Sequence, residues 1–199
     1  TFNPKAKGTI ITQVDRGKPE RLIKGISSID DIDLITVQGS GMVGVTGITG
    51  RLFNMLSENN INIVLITQAS SEYSVTFAIK PQDSQKAVDI LEKEFESEIK
   101  LRNELNILIE KDLSVIAIVG EKMKNKPGIS ANLFSSLGRN GISAIATAQG
   151  SSELNISVVI KKESLKKSLN VIHEGFFLSH IKELHLYLMG IGRVGSKLL

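Results

Sequence analysis

Cysteine and tryptophan are both missing from this chain of 199 residues, and aromatic residues make up only 5% of it. Without cysteine there can be no disulfide framework, no thiolate nucleophile and no thiolate metal site. There is also no run of about 18 apolar residues of the kind that spans a membrane, and no secretory signal pattern follows Thr1. We therefore expect a soluble protein of the cytoplasm.

The charged residues and histidines indicate neither a nucleic-acid surface nor a metal site. The net charge is only +3, and lysines such as Lys161 alternate with serine and glutamate, as on a solvated face. The charged helix face Glu92–Glu98 is expected to be exposed for the same reason. His173, His180 and His185 have no ligand spacing, so no metal site is predicted. No Ser/His/Asp group or acid/base pair is identified as catalytic.

What the chain does contain is an internal repeat at a separation of 81 residues. Gly47-Ile48-Thr49 returns as Gly128-Ile129-Ser130. Gln68-Ala69-Ser70-Ser71-Glu72 returns as Gln149-Gly150-Ser151-Ser152-Glu153. Core packing alone would repeat only apolar character and does not require a carboxamide at this position. The repeat therefore indicates two copies of one domain, each carrying the same polar site.

Hydrophobic periodicity gives each copy the element order β-α-β-β-α. In the first copy the predicted elements are strand Leu34–Gln38, helix Ile48–Asn59, strands Ile61–Thr67 and Tyr73–Ile79, and helix Gln85–Ile99. In the second copy they are strand Leu113–Val119, helix Ile129–Asn140, strands Ile142–Ala148 and Leu154–Ile160, and helix Leu165–His173. Such a unit packs its helices on one face of an antiparallel sheet, which is the ferredoxin-like α+β arrangement βαββαβ.

Each ferredoxin-like unit needs a fourth strand, and Leu105–Glu110 can complete the first. For the second unit the nearest candidate is Glu183–Met189, but it runs directly into Gly190-Ile191-Gly192-Arg193-Val194-Gly195. A strand followed by G-x-G-x-x-G opens a dinucleotide-binding unit. If that strand belongs to a following domain, residues 8–14 are expected to supply the fourth strand of the second unit. This arrangement would nest the first unit inside the second.

The dinucleotide motif formed by Gly190, Gly192 and Gly195 is incomplete in this chain. The helix, the later strands and the acidic residue about 20 positions further on do not follow. We therefore do not expect these glycines to bind a cofactor here.

These motifs resemble a known family. Residues 1–10 resemble the segment that leaves the catalytic domain of aspartate kinases. Leu65–Gln68 and Ala146–Gly150, each followed by Ser-Ser-Glu, look like the two ACT domains of bifunctional aspartate kinase–homoserine dehydrogenase. Gly190–Gly195 is similar to the start of that family's dehydrogenase domain. One departure is Thr147, because the family often has isoleucine there.

The resemblance implies a domain layout and a function. Residues 1–29 would be a linker from the kinase domain, 30–111 and 112–178 the two ACT domains, and 179–199 the truncated start of the dehydrogenase domain. The segment would bind threonine and relay feedback inhibition, and it would form a homodimer through its ACT sheets. It would need no cofactor itself, whereas the parent protein would use ATP, Mg and NAD(P). No nucleic acid or membrane partner is expected.

The residues themselves also favour an amino-acid site. The loop Gly41–Gly47 leads into a helix, so free N–H groups and the positive helix end point at one spot, as carboxylate binding requires. Lys126-Pro127-Gly128-Ile129 makes the matching turn in the second unit. A glutamine both donates to and accepts from a hydroxyl, which fits threonine better than lysine. The candidate effector-binding residues are Gln68, Gln149, Gly47, Ile48, Thr49, Gly128, Ile129, Ser130, Asn62 and Val64.

Several alternatives remain open at this stage. Each glutamine could simply cap a strand end or hydrogen-bond a turn. The pair of domains could serve dimerisation or bind a different amino acid, and Gly190–Gly195 could indicate a nicotinamide dehydrogenase. Ferredoxin-like sheets also bind RNA through exposed aromatic residues, although only Tyr73 and Phe77 lie on the third strand.

Overall fold

The computed structural model describes residues 22–68, 72–121, 123–151 and 154–178. Within these ranges the strands are β1 (Gly25–Gln38), β2 (Ile63–Gln68), β3 (Ser74–Ile79), β4 (Asn106–Val119), β5 (Ala146–Gln149) and β6 (Asn155–Lys161). The α-helices are α1 (Ile48–Glu58), α2 (Pro81–Glu94), α3 (Ile129–Gly138) and α4 (Leu165–Phe177). None of the helices in these ranges is long and apolar enough to cross a membrane.

The six strands form one antiparallel sheet in the order β2-β3-β1-β4-β6-β5. The central strands β1 and β4 each have 14 residues and pair with each other along most of their length. Strand β3 pairs with the later half of β1, from Asp33 to Gln38. Strand β6 pairs with the later half of β4, from Leu113 to Val119. Two ferredoxin-like units, which the repeat predicts, therefore share the two long strands.

An aspartate with left-handed backbone marks the middle of each long strand. Asp31 has φ 60° and Asp112 has φ 59°. The register of the β1–β4 ladder shifts between Ile29 and Leu34, which is the local irregularity of a β-bulge. Lys162 Nζ lies 2.6 Å from Asp31 Oδ1, and this hydrogen bond raises the pKa of Lys162. The bulge is therefore the boundary between the two units.

Each unit buries its own apolar core between its helices and one face of the sheet. In the third strand Val75, Phe77 and Ile79 are all fully buried, whereas Tyr73, just before its start, is 46% exposed. Each such side chain contributes about 1.5–3 kcal/mol of burial free energy. The second unit repeats the arrangement with Ile156 and Val158 of β6.

A third apolar cluster joins the sheet faces that carry no helix, and no pattern in the sequence predicts it. Leu34 and Leu65 of the first unit meet Val115 and Val159 of the second in this cluster. The two units consequently pack against each other as well as sharing strands. The helices of each unit are left on the outside.

The first unit is nested inside the second, as predicted, but the donor strand differs. Gly25–Ile29 pairs with the later half of β4 and completes the second unit. The strand predicted for this role, residues 8–14, lies outside the described residues, as do Glu183–Met189 and the motif at 190–195. Asp30 and Asp31 conceal the continuity of β1, because aspartate is depleted in strands.

Candidate amino-acid site

The glycine before the first helix of each unit has the same unusual backbone. Gly47 has φ 91° and Gly128 has φ 93°, and neither α1 nor α3 has a side-chain cap at its start. The first helical hydrogen bonds run from the N–H of Arg51 to the Gly47 carbonyl and from the N–H of Asn132 to the Gly128 carbonyl, both at 2.9 Å. Among the described residues, the N–H groups of the first turn therefore have no side-chain cap, and they carry the positive end of the helix dipole.

The isoleucines predicted for the site have buried side chains, which leaves only their backbone for contact with a ligand. Ile48 is 5% exposed and Ile129 is 7% exposed, and both side chains belong to the helix-facing cores. Thr49 and Ser130, which follow them, are half-buried. Hydroxyl groups are therefore available beside each helix start, whereas the isoleucine side chains point away.

In the second unit the structure brings the predicted residues together around one cleft. This cleft of about 480 Å³ is lined by Gly128, Ile129 and Ser130 on the helix side and by Gln149 on the strand side. The nearly buried Met123 also lines it. Its volume lies within the usual range for small-molecule pockets, about 300–1,000 Å³. The first residues of a helix and a carboxamide-bearing residue thus line the same space.

The first unit has the same strand register around its glutamine. Gln68 pairs with Val75 across β2 and β3, just as Gln149 pairs with Ile156 across β5 and β6. The start of the loop before the helix is attached in the same way in both units, to the residue that precedes β3 or β6. The N–H of Gly39 donates to the carbonyl of Tyr73, and the N–H of Gly120 donates to that of Leu154, both at 3.0 Å.

A second cleft lies between the two units and contains both glutamines. It measures about 540 Å³ and runs between the edge strands β2 and β5. Gln68, Gln149 and Val64 all line it, and Val64 also packs on the third apolar cluster. Val64 therefore lies between the units, and Asn62 is exposed just before β2. Sequence reasoning did not anticipate that both glutamines border one cleft.

Thr147, which departs from the family pattern, is exposed and lines this same cleft. It also lines a larger cleft of about 690 Å³ on the open face of the first unit. The threonine is therefore in the seam between the units, and it does not replace a core isoleucine.

Arg51 is a charged residue near the first site that sequence reasoning missed. Its Nε lies 2.8 Å from Glu94 Oε1, and its Nη1 lies 2.8 Å from Glu98 Oε1. The hydrogen bonds to Glu98 and Glu94 raise the pKa of Arg51, and the hydrogen bond from Arg51 lowers the pKa of Glu98. The Glu98 side chain is only 14% exposed, so the expectation of an exposed face is wrong for Glu98. The four-residue spacing of two glutamates is the signal that could have pointed to an arginine partner.

Other chemistries find less support in the described part of the chain. No group of three or more His, Asp or Glu side chains is placed there to hold a metal ion. Phe77 is fully buried, so of the two aromatics on the third strand only Tyr73 is exposed enough to stack on a base. The RNA-binding alternative loses one of its two aromatic residues.

Comparison with known proteins places both repeats in one family. The ACT domain model matches residues 35–95 and 116–176. A bifunctional aspartokinase/homoserine dehydrogenase of Haemophilus influenzae is 38% identical over 200 residues, covering 100% of this chain and 24% of that protein. A chloroplastic bifunctional aspartokinase/homoserine dehydrogenase 2 of Arabidopsis thaliana is 37% identical over 202 residues, covering 100% and 22%.

A solved structure shares the fold of the pair. The ligand-free regulatory subunit of aspartate kinase from Thermus thermophilus superposes with a TM-score of 0.66 at 25% identity, covering 77% of this chain and 99% of that one. The chain spans about a quarter of the length of the curated relatives that it matches. Both repeats match the ACT model over the residues that form the two units, and the chain belongs to the ACT domain family.

Proposed function

We propose that this chain is an amino-acid-sensing regulatory region that binds threonine in each of its two units. The observation that carries the proposal is the second-unit cleft, where the first turn of α3 faces Gln149. The first unit would bind at the equivalent position, between Gly47 and Gln68. Occupancy would then alter the activity of catalytic domains elsewhere in the parent protein.

The chemistry of the cleft suits a small zwitterion with a hydroxyl group. The N–H groups of the first helical turn would bind the carboxylate of the ligand. The glutamine carboxamide would donate to and accept from its hydroxyl. Lysine would require a carboxylate for its side-chain ammonium, and none lines the second-unit cleft among the described residues. Threonine is accordingly the preferred effector.

The proposal extends to the parent protein by family membership. Relatives of this chain are bifunctional aspartokinase/homoserine dehydrogenases, so the regulated activities would be phosphorylation of aspartate with ATP and Mg and an NAD(P)-dependent dehydrogenase step. Feedback of this kind requires threonine to bind two states with different affinity, typically by 1–3 kcal/mol. We also propose a homodimer through the ACT sheets and a cytoplasmic location.

The proposal is tested by isothermal titration of the chain with threonine, with lysine, methionine and isoleucine as controls. We expect saturable binding of threonine alone, at two molecules per chain. Gln68→Ala and Gln149→Ala should each weaken one of the two binding events. Unchanged affinity in both variants would remove the glutamines from the site, and binding of none of the four amino acids would favour a structural role for the pair.

A further inference from the structure

The loop of the first site is held in place by a chain segment that crosses its start. The N–H of Gly41 donates to the carbonyl of Glu104 at 3.1 Å. A Cβ on Gly39 would lie 1.9 Å from that same carbonyl oxygen, so the backbones of these two segments are in direct contact. The position of the Glu104 backbone therefore fixes where the loop Gly39–Gly47 begins.

Glu104 is itself fixed by a wide helical turn that follows α2. The N–H groups of Glu104 and Leu105 both donate to the Glu98 carbonyl, at 2.9 and 3.4 Å. Residues Ser97–Leu101 form that turn, and Leu105 is buried in the first core. Any movement of Glu98 would be passed through these hydrogen bonds to the start of the loop.

Arg51, in the first turn of α1, holds this wide turn against α1. Besides its ion pairs with Glu94 and Glu98, its Nη2 donates to the Glu94 carbonyl at 3.0 Å. Its guanidinium also lies 4.6 Å from the centre of the Phe95 ring. The Arg51 backbone N–H meanwhile closes the other end of the loop on Gly47. One residue therefore ties down both ends of the loop that would bind the effector carboxylate.

The described part of the second unit has no equivalent of this arginine anchor. Asn132 occupies the equivalent position and its Nδ2 donates to the Gly175 carbonyl at 3.0 Å, but its side chain is too short to reach a second turn. Its loop is held instead by the segment that enters the domain. A Cβ on Gly120 would lie 2.0 Å from the Leu22 carbonyl oxygen, and the N–H of Lys24 donates to Val119 at 2.7 Å.

We infer that Arg51 is a positioning residue of the first site, which orders the Gly39–Gly47 loop through Glu98 and Glu104 without contacting the ligand. The role in binding rests on the proposed function, whereas the ordering of the loop does not. The Arg51 side chain is 40% exposed, and an ion pair with one partner exposed to this extent contributes up to about 1 kcal/mol, which corresponds to a change in affinity of about fivefold.

The first test needs no ligand. Amide hydrogen exchange is measured across the loop in the unmodified chain and in Arg51→Gln. We expect exchange of Gly41–Gly47 to become about fivefold faster, with residues 123–128 unchanged. Asn132→Ala is the matched control, and it should leave Gly41–Gly47 unchanged. Equal exchange of the first loop in Arg51→Gln and the unmodified chain would overturn the inference.

The second test measures threonine binding at the first site alone, in a Gln149→Ala background. Arg51→Gln and Glu98→Gln should each weaken it about fivefold. The double variant should be no weaker than either single variant, because both act through one contact. Arg51→Lys should restore part of the affinity, since it keeps the charge but not the forked geometry. A purely structural role would lower the thermal midpoint and leave the affinity unchanged.

These outcomes separate the inference from the function on which it rests. If the unmodified chain binds none of the amino acids, the proposed function is lost, and hydrogen exchange still decides whether Arg51 orders the loop. If threonine binds and its affinity is the same in Arg51→Gln and Glu98→Gln, the positioning role is wrong and the proposed function stands. Glu98→Gln carries the same expectation if Arg51→Gln does not fold.

Discussion

Gly47 and Gly128 stand 81 positions apart and share one left-handed backbone conformation, with φ 91° and 93°. Each ends a loop and starts a helix. Apart from the adjoining residues of its own segment, no heavy atom of the described residues lies within 4 Å of a Cβ built on either glycine. Any cost of adding a side chain at these positions therefore comes from the backbone conformation alone.

Replacement of either glycine by alanine should destabilise the protein. A left-handed conformation costs an L-residue about 1–2 kcal/mol, so Gly47→Ala and Gly128→Ala should lower the free energy of unfolding by that amount in urea titrations. Gly50→Ala is the matched control, because Gly50 lies inside α1 with equally open surroundings. It should stabilise the protein by about 0.5–1 kcal/mol. Equal effects at Gly47 and Gly50 would contradict this explanation.

A larger loss of stability is expected from substitution of the glycines at which two segments of the backbone are in contact. A Cβ on Gly120 would lie 2.0 Å from a backbone carbonyl oxygen that no rotamer change can move away. Gly120→Ala should therefore cost more than about 3 kcal/mol, measured by the same titration. Gly39→Ala should do so as well, with its positive φ adding to the clash. A cost no greater than that of Gly47→Ala would mean that the crossing segment yields easily.

The repeat also offers a matched pair of buried polar groups. Asp33 is 3% exposed, and Ser84 Oγ donates to its Oδ2 at 2.6 Å. Ser114 stands at the equivalent position in the second unit, and within the described ranges its buried Oγ has no hydrogen-bond partner. Ser84→Ala should cost about 1–3 kcal/mol, because it removes a hydrogen bond from a buried carboxyl group.

Ser114→Ala should by contrast be neutral or stabilising, since no hydrogen bond is lost and a desolvated hydroxyl is removed. Both variants are compared by urea unfolding of the full chain. A destabilisation of Ser114→Ala as large as that of Ser84→Ala would show that Ser114 has a partner after all.

The ion pair of Glu98 should make stability depend on pH in the acid range. The hydrogen bond from Arg51 lowers the pKa of Glu98 in the folded state below its ordinary value of 4.5. An acid with a lowered pKa stabilises the fold above its unfolded value, and that contribution is lost as the pH falls through the folded value. The urea midpoint should therefore drop below pH 4.5 more steeply in the unmodified protein than in Glu98→Gln. Parallel pH profiles would contradict the pairing.

The sequence predicted the parts of this fold that depend on local pattern. The helix start at Ile48 and the burial of Val75 and Phe77 follow from periodicity and turn residues, and the repeat doubled each signal. The nesting followed from counting strands. The third apolar cluster could not be predicted, because the sequence around Leu34 and Leu65 does not indicate which distant sheet face they will contact.

For the candidate site, the sequence identified residue types better than partners. The cleft that contains Gly128 and Gln149 was predictable because both positions repeat. The ion pairs of Arg51 were not, since they join residues more than 40 positions apart and, in the ranges that the structure describes, have no counterpart in the second unit. A repeat points to what two units share and conceals what only one of them has.

The shared strands also determine what could be removed from this protein. Both ends of the described chain belong to the second unit. The chain passes from the second unit into the first and back again at neighbouring positions, where Ile32 pairs with Leu113. The first unit is thus a guest domain, and a short hairpin turn in place of residues 33–110 would leave its host with a full set of strands. The second unit left after this deletion would nevertheless expose Val115 and Val159, which the first unit now covers. It would keep its backbone hydrogen bonds and lose its solubility as a monomer.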